Sequence, residues 1–148
     1  MAQVSDILKS KGGGLWSVSP RATVLESLEM MAAKDVGAVV VLDDGRLAGI
    51  FTERDYARKV VLAGRSSREL PVSEIMTTQV VCVAPQRSVD ECLALMTDKR
   101  IRHLPVVEGG EVIGVVSIGD IVKNIISEQE FLIEQLEHYI TGTPYRLE

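Results

Sequence analysis

Two stretches of the chain carry the same set of reactive groups at the same spacing: Gly49-Ile50-Phe51-Thr52-Glu53-Arg54-Asp55 and Gly114-Val115-Val116-Ser117-Ile118-Gly119-Asp120. Each reads as glycine, two apolar residues, a hydroxyl, two variable residues and an aspartate. The apolar pair ends a buried strand and the hydroxyl stands at a helix entry. The aspartate falls in the first helical turn, where the helix dipole favours a carboxylate. Thr52 and Ser117 would then cap their helices, with the aspartate closing a capping box. A cap requires neither the preceding glycine nor a duplicate, however. An exposed carboxylate beside a hydroxyl and free helix N–H groups suits a ribose diol and a phosphate.

The elements that must position these groups are themselves duplicated. Residues 16–60 and 81–125 are one 45-residue unit written twice at an offset of 65. Pro20 matches Pro85, Met31 matches Met96, Gly49 matches Gly114 and Asp55 matches Asp120, among 11 identities. A lead-in repeats too, Val4-Ser5-Asp6-Ile7-Leu8 against Val72-Ser73-Glu74-Ile75-Met76, which leaves the first copy with extra residues at Lys11-Gly12-Gly13-Gly14. Each copy opens with a short strand, at 16–18 and 80–83. An amphipathic helix follows, with Val24, Leu28 and Met31 or Val89, Leu93 and Met96 at helical spacing. Next comes a hairpin, 38–42 turning at Asp43-Asp44-Gly45 into 47–51, and 104–107 turning at Glu108-Gly109-Gly110-Glu111 into 112–116. A second helix opens near Asp55 and near Asp120. The order β-α-β-β-α occurs twice, an α/β (α+β) fold. The expected divisions are 1–66 for the first repeat with its glycine-rich loop, 67–126 for the second, and 127–148 for a C-terminal helix and tail.

A unit of about 60 residues buries too little surface to be comfortably stable alone. The two copies are therefore expected to share one body with pseudo-twofold symmetry, and any groove between them to occur twice. A hydrophobic content of 46% in 148 residues is enough to build that body. No basic stretch followed by an apolar run opens the chain, and no segment approaches 18 uninterrupted apolar residues, so neither a leader nor a membrane span is expected. Cys82 and Cys92 hold apolar positions without metal or redox spacing, and read as core thiols in a reducing cytoplasm. A net charge of −5 argues against a nucleic-acid surface. Arg58, Lys59, Arg65 and Arg68 read as a solvated basic face. Toward the end, Phe131, Leu132, Leu136 and Tyr139 form an apolar stripe beside Glu128, Glu130, Glu134 and Glu137. That stripe serves either packing on its own module or an interface with a second chain. Thr141-Gly142-Thr143-Pro144 closes the helix, and 145–148 is expected to be mobile.

With these residues in place, the chain resembles a tandem cystathionine-β-synthase (CBS) domain pair, the Bateman module, over about residues 4–126. The family's strand, acidic-glycine turn and Gly-x-x-[Thr/Ser]-x-x-Asp motif stand here as Leu104-Pro105-Val106-Val107-Glu108 and the two motifs above. Val40 stands where the second copy has Pro105, a departure expected to alter strand entry more than the fold. The resemblance implies repeats packed sheet to sheet, with two clefts that hold adenine nucleotides or related adenosyl ligands. It places Thr52, Arg54 and Asp55 in one cleft with Thr78, Val80, Val81, Ile101 and Arg102. It places Ser117, Asp120 and His103 in the other with Leu15, Trp16, Val36, Gly37 and Ala38. The aspartates are assigned to ribose hydroxyls, Thr52 and Ser117 to phosphate or ribose, and the strand starts to adenine.

The clefts are not expected to be equal. Arg54 offers a forked guanidinium to phosphate where its partner position is Gly119, while Arg102 and His103 stand where the first copy has Gly37 and Ala38. The Lys9-Ser10-Lys11-Gly12-Gly13-Gly14 segment reads either as a flexible connection or as a loop whose backbone N–H groups and lysines cover an anion. The overall expectation is a regulatory module that binds AMP, ADP, ATP or an NAD-type ligand and reports energy or redox state to an unidentified effector in trans, as a homodimer. The motifs require no metal, and magnesium enters only as the companion of a polyphosphate. The alternative is a ligand-independent dimeric scaffold. Catalysis is not expected, because no cysteine-histidine or serine-histidine pair is spaced for a nucleophile.

Overall fold

Local hydrogen bonding sets where the helices start and stop. Thr23 accepts the Glu26 N–H while the Glu26 carboxylate accepts the Thr23 N–H, and Ser88 accepts from Glu91 in the equivalent place. Each such cap stabilises its helix by about 1 kcal/mol. Both helices end on a residue in the left-handed region, Asp35 at φ 53° and Arg100 at φ 55°. The computed structural model describes residues 2–142. Along the first repeat run α1 (Val4–Lys11), β1 (Ser17–Val18), α2 (Val24–Lys34), β2 (Ala38–Asp43), β3 (Arg46–Thr52) and α3 (Glu53–Asp55). A π-helical turn (Tyr56–Val61) and a 3-10 turn (Val72–Glu74) connect to α4 (Val89–Lys99), β4 (His103–Glu108), β5 (Glu111–Ser117) and α5 (Ile118–Thr141).

The two hairpins are copies in register as well as in sequence. β2 and β3 pair antiparallel with Val40 opposite Ile50, and β4 and β5 with Pro105 opposite Val115. Both ladders are interrupted at the same place, between Val41 and Leu42 and between Val106 and Val107. β3 lies against β5, so the repeats meet through their sheets. The lead-in strands differ. β1 pairs parallel with β2, but the segment 80–83 makes a single parallel bridge, Val83 to Val106. Proline at position 105, where the first copy has Val40, has no N–H to extend the ladder. Val83 points into the second core, so its neighbour Cys82 lies on the opposite face of the extended chain with an exposed thiol; Cys92 is buried as expected.

The lead-in segments are exchanged between the repeats. Val4 and Ile7 of α1 are buried in the core of the second repeat, with Val89, Met96, Leu104 and Val116. Val72 and Ile75 are buried in the core of the first, with Val24, Val39, Phe51 and Val60. The backbone bonds match: Val4 N–H donates to the Arg87 carbonyl and Ser5 N–H to Pro85, while Val72 donates to Ala22 and Ser73 to Pro20. Burying one aliphatic side chain of this size stabilises by about 1.5–3 kcal/mol, so each lead-in couples the stability of one repeat to the chain of the other.

This exchange accounts for the motif glycines. The Thr77 backbone bridges Ile50 in both directions, and a Cβ on Gly49 would stand 2.7 Å from the Thr77 carbonyl oxygen. On Gly114 the nearest atom, also at 2.7 Å, is Leu8 Cδ2, the end of a flexible side chain. Gly49→Ala is therefore expected to destabilise by about 1–3 kcal/mol, the range for overpacking, and Gly114→Ala by clearly less. Urea unfolding of the two variants measures the difference.

Candidate functional site

Both motif aspartates are capping-box residues, but their surroundings differ. Asp55 Oδ2 accepts from Thr52 N–H at 3.0 Å and Thr52 Oγ1 at 3.1 Å. Its Oδ1 accepts from Thr77 Oγ1 at 3.1 Å and pairs with Lys59 Nζ at 3.0 Å, and Lys59 also donates to the Ile75 carbonyl. The carboxylate is buried and both its oxygens are engaged. Asp120 Oδ2 accepts from Ser117 N–H at 2.9 Å and from Lys11 Nζ at 2.8 Å. Among the described residues, no hydrogen bond reaches its Oδ1.

The cation beside each aspartate comes from a different place. In the first repeat it is Lys59, four residues along the same helical segment. The position equivalent to Lys59 is Asn124, whose Oδ1 is buried without a partner among the described residues. Lys11, at the end of α1, supplies the charge instead and donates as well to the Val115 carbonyl. Gly12, Gly13 and Gly14 then turn the chain away at φ 82°, 78° and 111°, a left-handed run that side chains would strain. Burial alone would raise the Asp120 pKa; hydrogen bonds from Lys11 and Ser117, with the Lys11 charge, outweigh it and hold the carboxyl below its ordinary range.

Residues of both motifs line the space between the repeats, about 1450 Å³ in all. Ile50 and Val115, equivalent residues on the facing strands β3 and β5, both line it. Of the residues expected on the first motif's side, Thr52, Arg54, Asp55, Val80, Val81, Ile101 and Arg102 line the cleft. Thr78 does not: Thr77 and Gln79 do, because the bridge of Thr77 to Ile50 turns the next residue outward. On the second motif's side Leu15, Trp16, Val36, Gly37, Ala38, His103, Ser117 and Asp120 all line it.

Further cations project here, among them Lys11 of the glycine-rich segment, which lies on the cleft with Gly13 and Gly14. Lys11, Lys34, Arg58, Lys59, Lys99 and Arg100 join Arg54 and Arg102 on the cleft wall, eight basic side chains against the four carboxylates of Asp35, Glu53, Asp55 and Asp120. Arg58 and Lys59 thus face the cleft, while Arg65 pairs with Glu74 at 3.5 Å. The (i, i+4) spacing from Asp55 was a signal for Lys59; nothing local marks Lys11 as the partner of Asp120. Arg54 Nη1 donates to the Arg100 carbonyl at 2.8 Å, tying one repeat to the other. Lys34 Nζ stands 4.3 Å from the Trp16 ring centroid, a cation–π contact. At Gly37 a Cβ would come 2.7 Å from Glu53 Oε1 and 3.3 Å from His103 Nε2, so glycine here leaves room for a side chain from each repeat.

The architecture is a duplicated module with a basic cleft between its repeats, and comparison with known proteins names its family. The family profile of the CBS domain matches residues 4–62 and 72–127. The chain belongs to the CBS-domain family. It is 42% identical to the CBS domain-containing protein CBSX3, mitochondrial, of Arabidopsis thaliana, over 94% of this chain and 72% of that one. A solved protein with CBS domains from Burkholderia ambifaria superposes with TM-score 0.82 at 50% identity, covering 86% of this chain and 96% of that one. The CBS domain protein PAE2072 from Pyrobaculum aerophilum, solved complexed with AMP, superposes with TM-score 0.72 at 28% identity, over 80% of this chain and 89% of that one. Among the described residues no helix is long and apolar enough to cross a membrane.

His103 gives the site a pH dependence. Burial is the largest influence and lowers its pKa from 6.5; Glu53 and Asp120 oppose this, while Lys11 and Arg102 add to it. The unfolded imidazole takes a proton near its ordinary value, and the folded one takes it only at lower pH. Stability is therefore expected to fall as pH drops from about 6.5 through the folded pKa. Denaturant titrations across that window, compared between the parent and His103→Gln, should show a smaller slope in the variant.

Proposed function

We propose that this chain is a regulatory module that binds adenosyl ligands between its repeats and signals energy or redox state to an effector in trans. In this reading it acts in the cytoplasm as a homodimer and catalyses nothing itself. The observation that carries the reading is the concentration of basic side chains around the two hydroxyl-aspartate motifs. A chain of net charge −5 places eight lysines and arginines on one cleft. Such a field selects a polyanion. The motif carboxylates and the apolar strand starts at Val80, Val81, Val36 and Ala38 provide for a ribose and an adenine. AMP, ADP, ATP and NAD-type dinucleotides all meet this description, with magnesium as the companion of a polyphosphate.

The free oxygen of Asp120 makes it the better acceptor for a ribose diol, whereas a ligand at Asp55 must compete with Thr77 and Lys59. Two sites of different affinity follow. The cleft exceeds the roughly 300–1,000 Å³ usual for one small ligand, leaving room for two mononucleotides or one longer molecule. Because Arg54 and Arg100 connect the repeats across this space, a ligand that binds one spacing of the repeats better than another shifts the module by that difference in affinity.

Calorimetric titration of nucleotide-stripped protein with AMP, ATP, NAD and S-adenosylmethionine tests the reading. Saturable binding is expected, weakened at least tenfold in its tighter phase by Asp120→Ala, which corresponds to about 1.4 kcal/mol. Asp55→Ala should also lower thermal stability, since it leaves Lys59 and Thr77 without their acceptor. Absence of binding by all four compounds would transfer the function to a ligand-independent scaffold, the reading favoured by the apolar surface of α5.

A further inference from the structure

The second motif lacks the cations that the first carries along its own helical segment. Gly119 stands at the position of Arg54, and Asn124 at that of Lys59. A Cβ on Gly119 would have Ser117 Oγ, at 3.6 Å, as its nearest neighbour outside the helix backbone, so the start of α5 is open on this side. The charge comes instead from Lys11, which donates to Asp120 Oδ2 at 2.8 Å and to the Val115 carbonyl at 3.0 Å. Its root is fixed, because Val4 and Ile7 anchor α1 in the second core and Leu8 lies over Gly114. Immediately beyond it, Gly13 and Gly14 line the cleft in left-handed conformations, with no side chains to close it. The Lys11 side chain is 41% exposed and reachable from the cleft. Among the described residues, Asp120 Oδ1 accepts no hydrogen bond. Arg102 and His103 also line this wall, but among the described residues Lys11 alone forms an ion pair with Asp120. The second motif thus presents an ammonium and an open carboxylate oxygen side by side.

We propose that Lys11 reads the 5′ substituent of the ligand at the second motif, so that this site selects nucleoside 5′-phosphates over the cationic adenosyl compound S-adenosylmethionine. The inference deepens the adenosyl reading given above and rests on it. In a ribose the 3′-hydroxyl and the 5′ carbon are carried on adjacent ring carbons. A diol held by Asp120 therefore brings the 5′ substituent beside the carboxylate's own cation. A phosphate there gains a charge-assisted hydrogen bond from Lys11. The flexible stem of the lysine lets its ammonium turn toward the phosphate while its root stays in place. A sulfonium in the same position meets like charge. Without the lysine the balance reverses, because the Asp120 carboxylate, left with the neutral donors of Ser117, attracts a cation. The first motif is arranged differently, since Thr52, Thr77 and Lys59 already engage both oxygens of Asp55. The selection belongs to the second motif, and the glycines after Lys11 keep the approach to it open.

Calorimetric titration of the full chain with AMP, adenosine and S-adenosylmethionine tests this, with circular dichroism and thermal transitions establishing that each variant is folded. In its tighter phase the parent is expected to bind AMP about tenfold or more tighter than S-adenosylmethionine. Lys11→Met should lower the ratio of AMP to adenosine affinity by about tenfold, and abolish or reverse the preference over S-adenosylmethionine. Lys11→Arg, which keeps the charge, should hold both ratios within about threefold of the parent. Lys11→Gln, which keeps a donor for Asp120, provides the same comparison if the methionine variant unfolds. A parent that binds S-adenosylmethionine as well as AMP, or a neutral variant that keeps the parent's ratios, overturns this proposal and leaves the adenosyl reading standing. A parent that binds none of the three compounds overturns the adenosyl reading, and this selection with it.

Discussion

The exchange of lead-in segments is the constraint on which the rest of the molecule depends. Neither repeat completes its core from its own contiguous chain, because α1 belongs to the second core and the 72–75 segment to the first. The same exchange delivers Thr77 to Asp55 and Lys11 to Asp120. Stability and site geometry are thus set by one set of contacts. Residues that look like ligand-binding signals in the sequence, the motif glycines above all, are there first to let a crossing segment approach.

Asymmetry between the halves arises from small substitutions in an otherwise symmetric frame. Lysine at position 59 and asparagine at 124 decide whether the cation beside the aspartate comes from the same helical segment or from α1. Val40 and Pro105 decide whether the lead-in forms a strand or a single bridge. These differences leave one carboxylate buried and fully bonded and the other half-buried with an open oxygen. A duplicated binding surface need not therefore behave as two equal sites. The electrostatic excess of the cleft is shared by both halves, since Arg54, Arg100 and Arg102 stand where the repeats meet.

The C-terminal helix shows how far composition can be read without contacts. Its stripe of Phe131, Leu132, Leu136 and Tyr139 was visible as periodicity, which left open whether the stripe packed on its own module. The structure leaves all four exposed on a helix that is anchored only at its base. Gly142 ends the helix in the left-handed region, as the closing signal required; Thr143, Pro144 and residues 145–148 lie outside the described residues.

By itself the sequence determined the order of helix, hairpin and helix in both repeats and the capping boxes that open the motif helices. Those features rest on local chemistry and on a period repeated twice, and both survive in one dimension. Tertiary structure alone decided the crossing of the lead-ins and the choice of Lys11 as the cation for Asp120. It also turned Cys82 outward and put Thr77 in place of Thr78. Each of these depends on which backbone lies beside which across long separations in the chain, and no local pattern encodes that pairing.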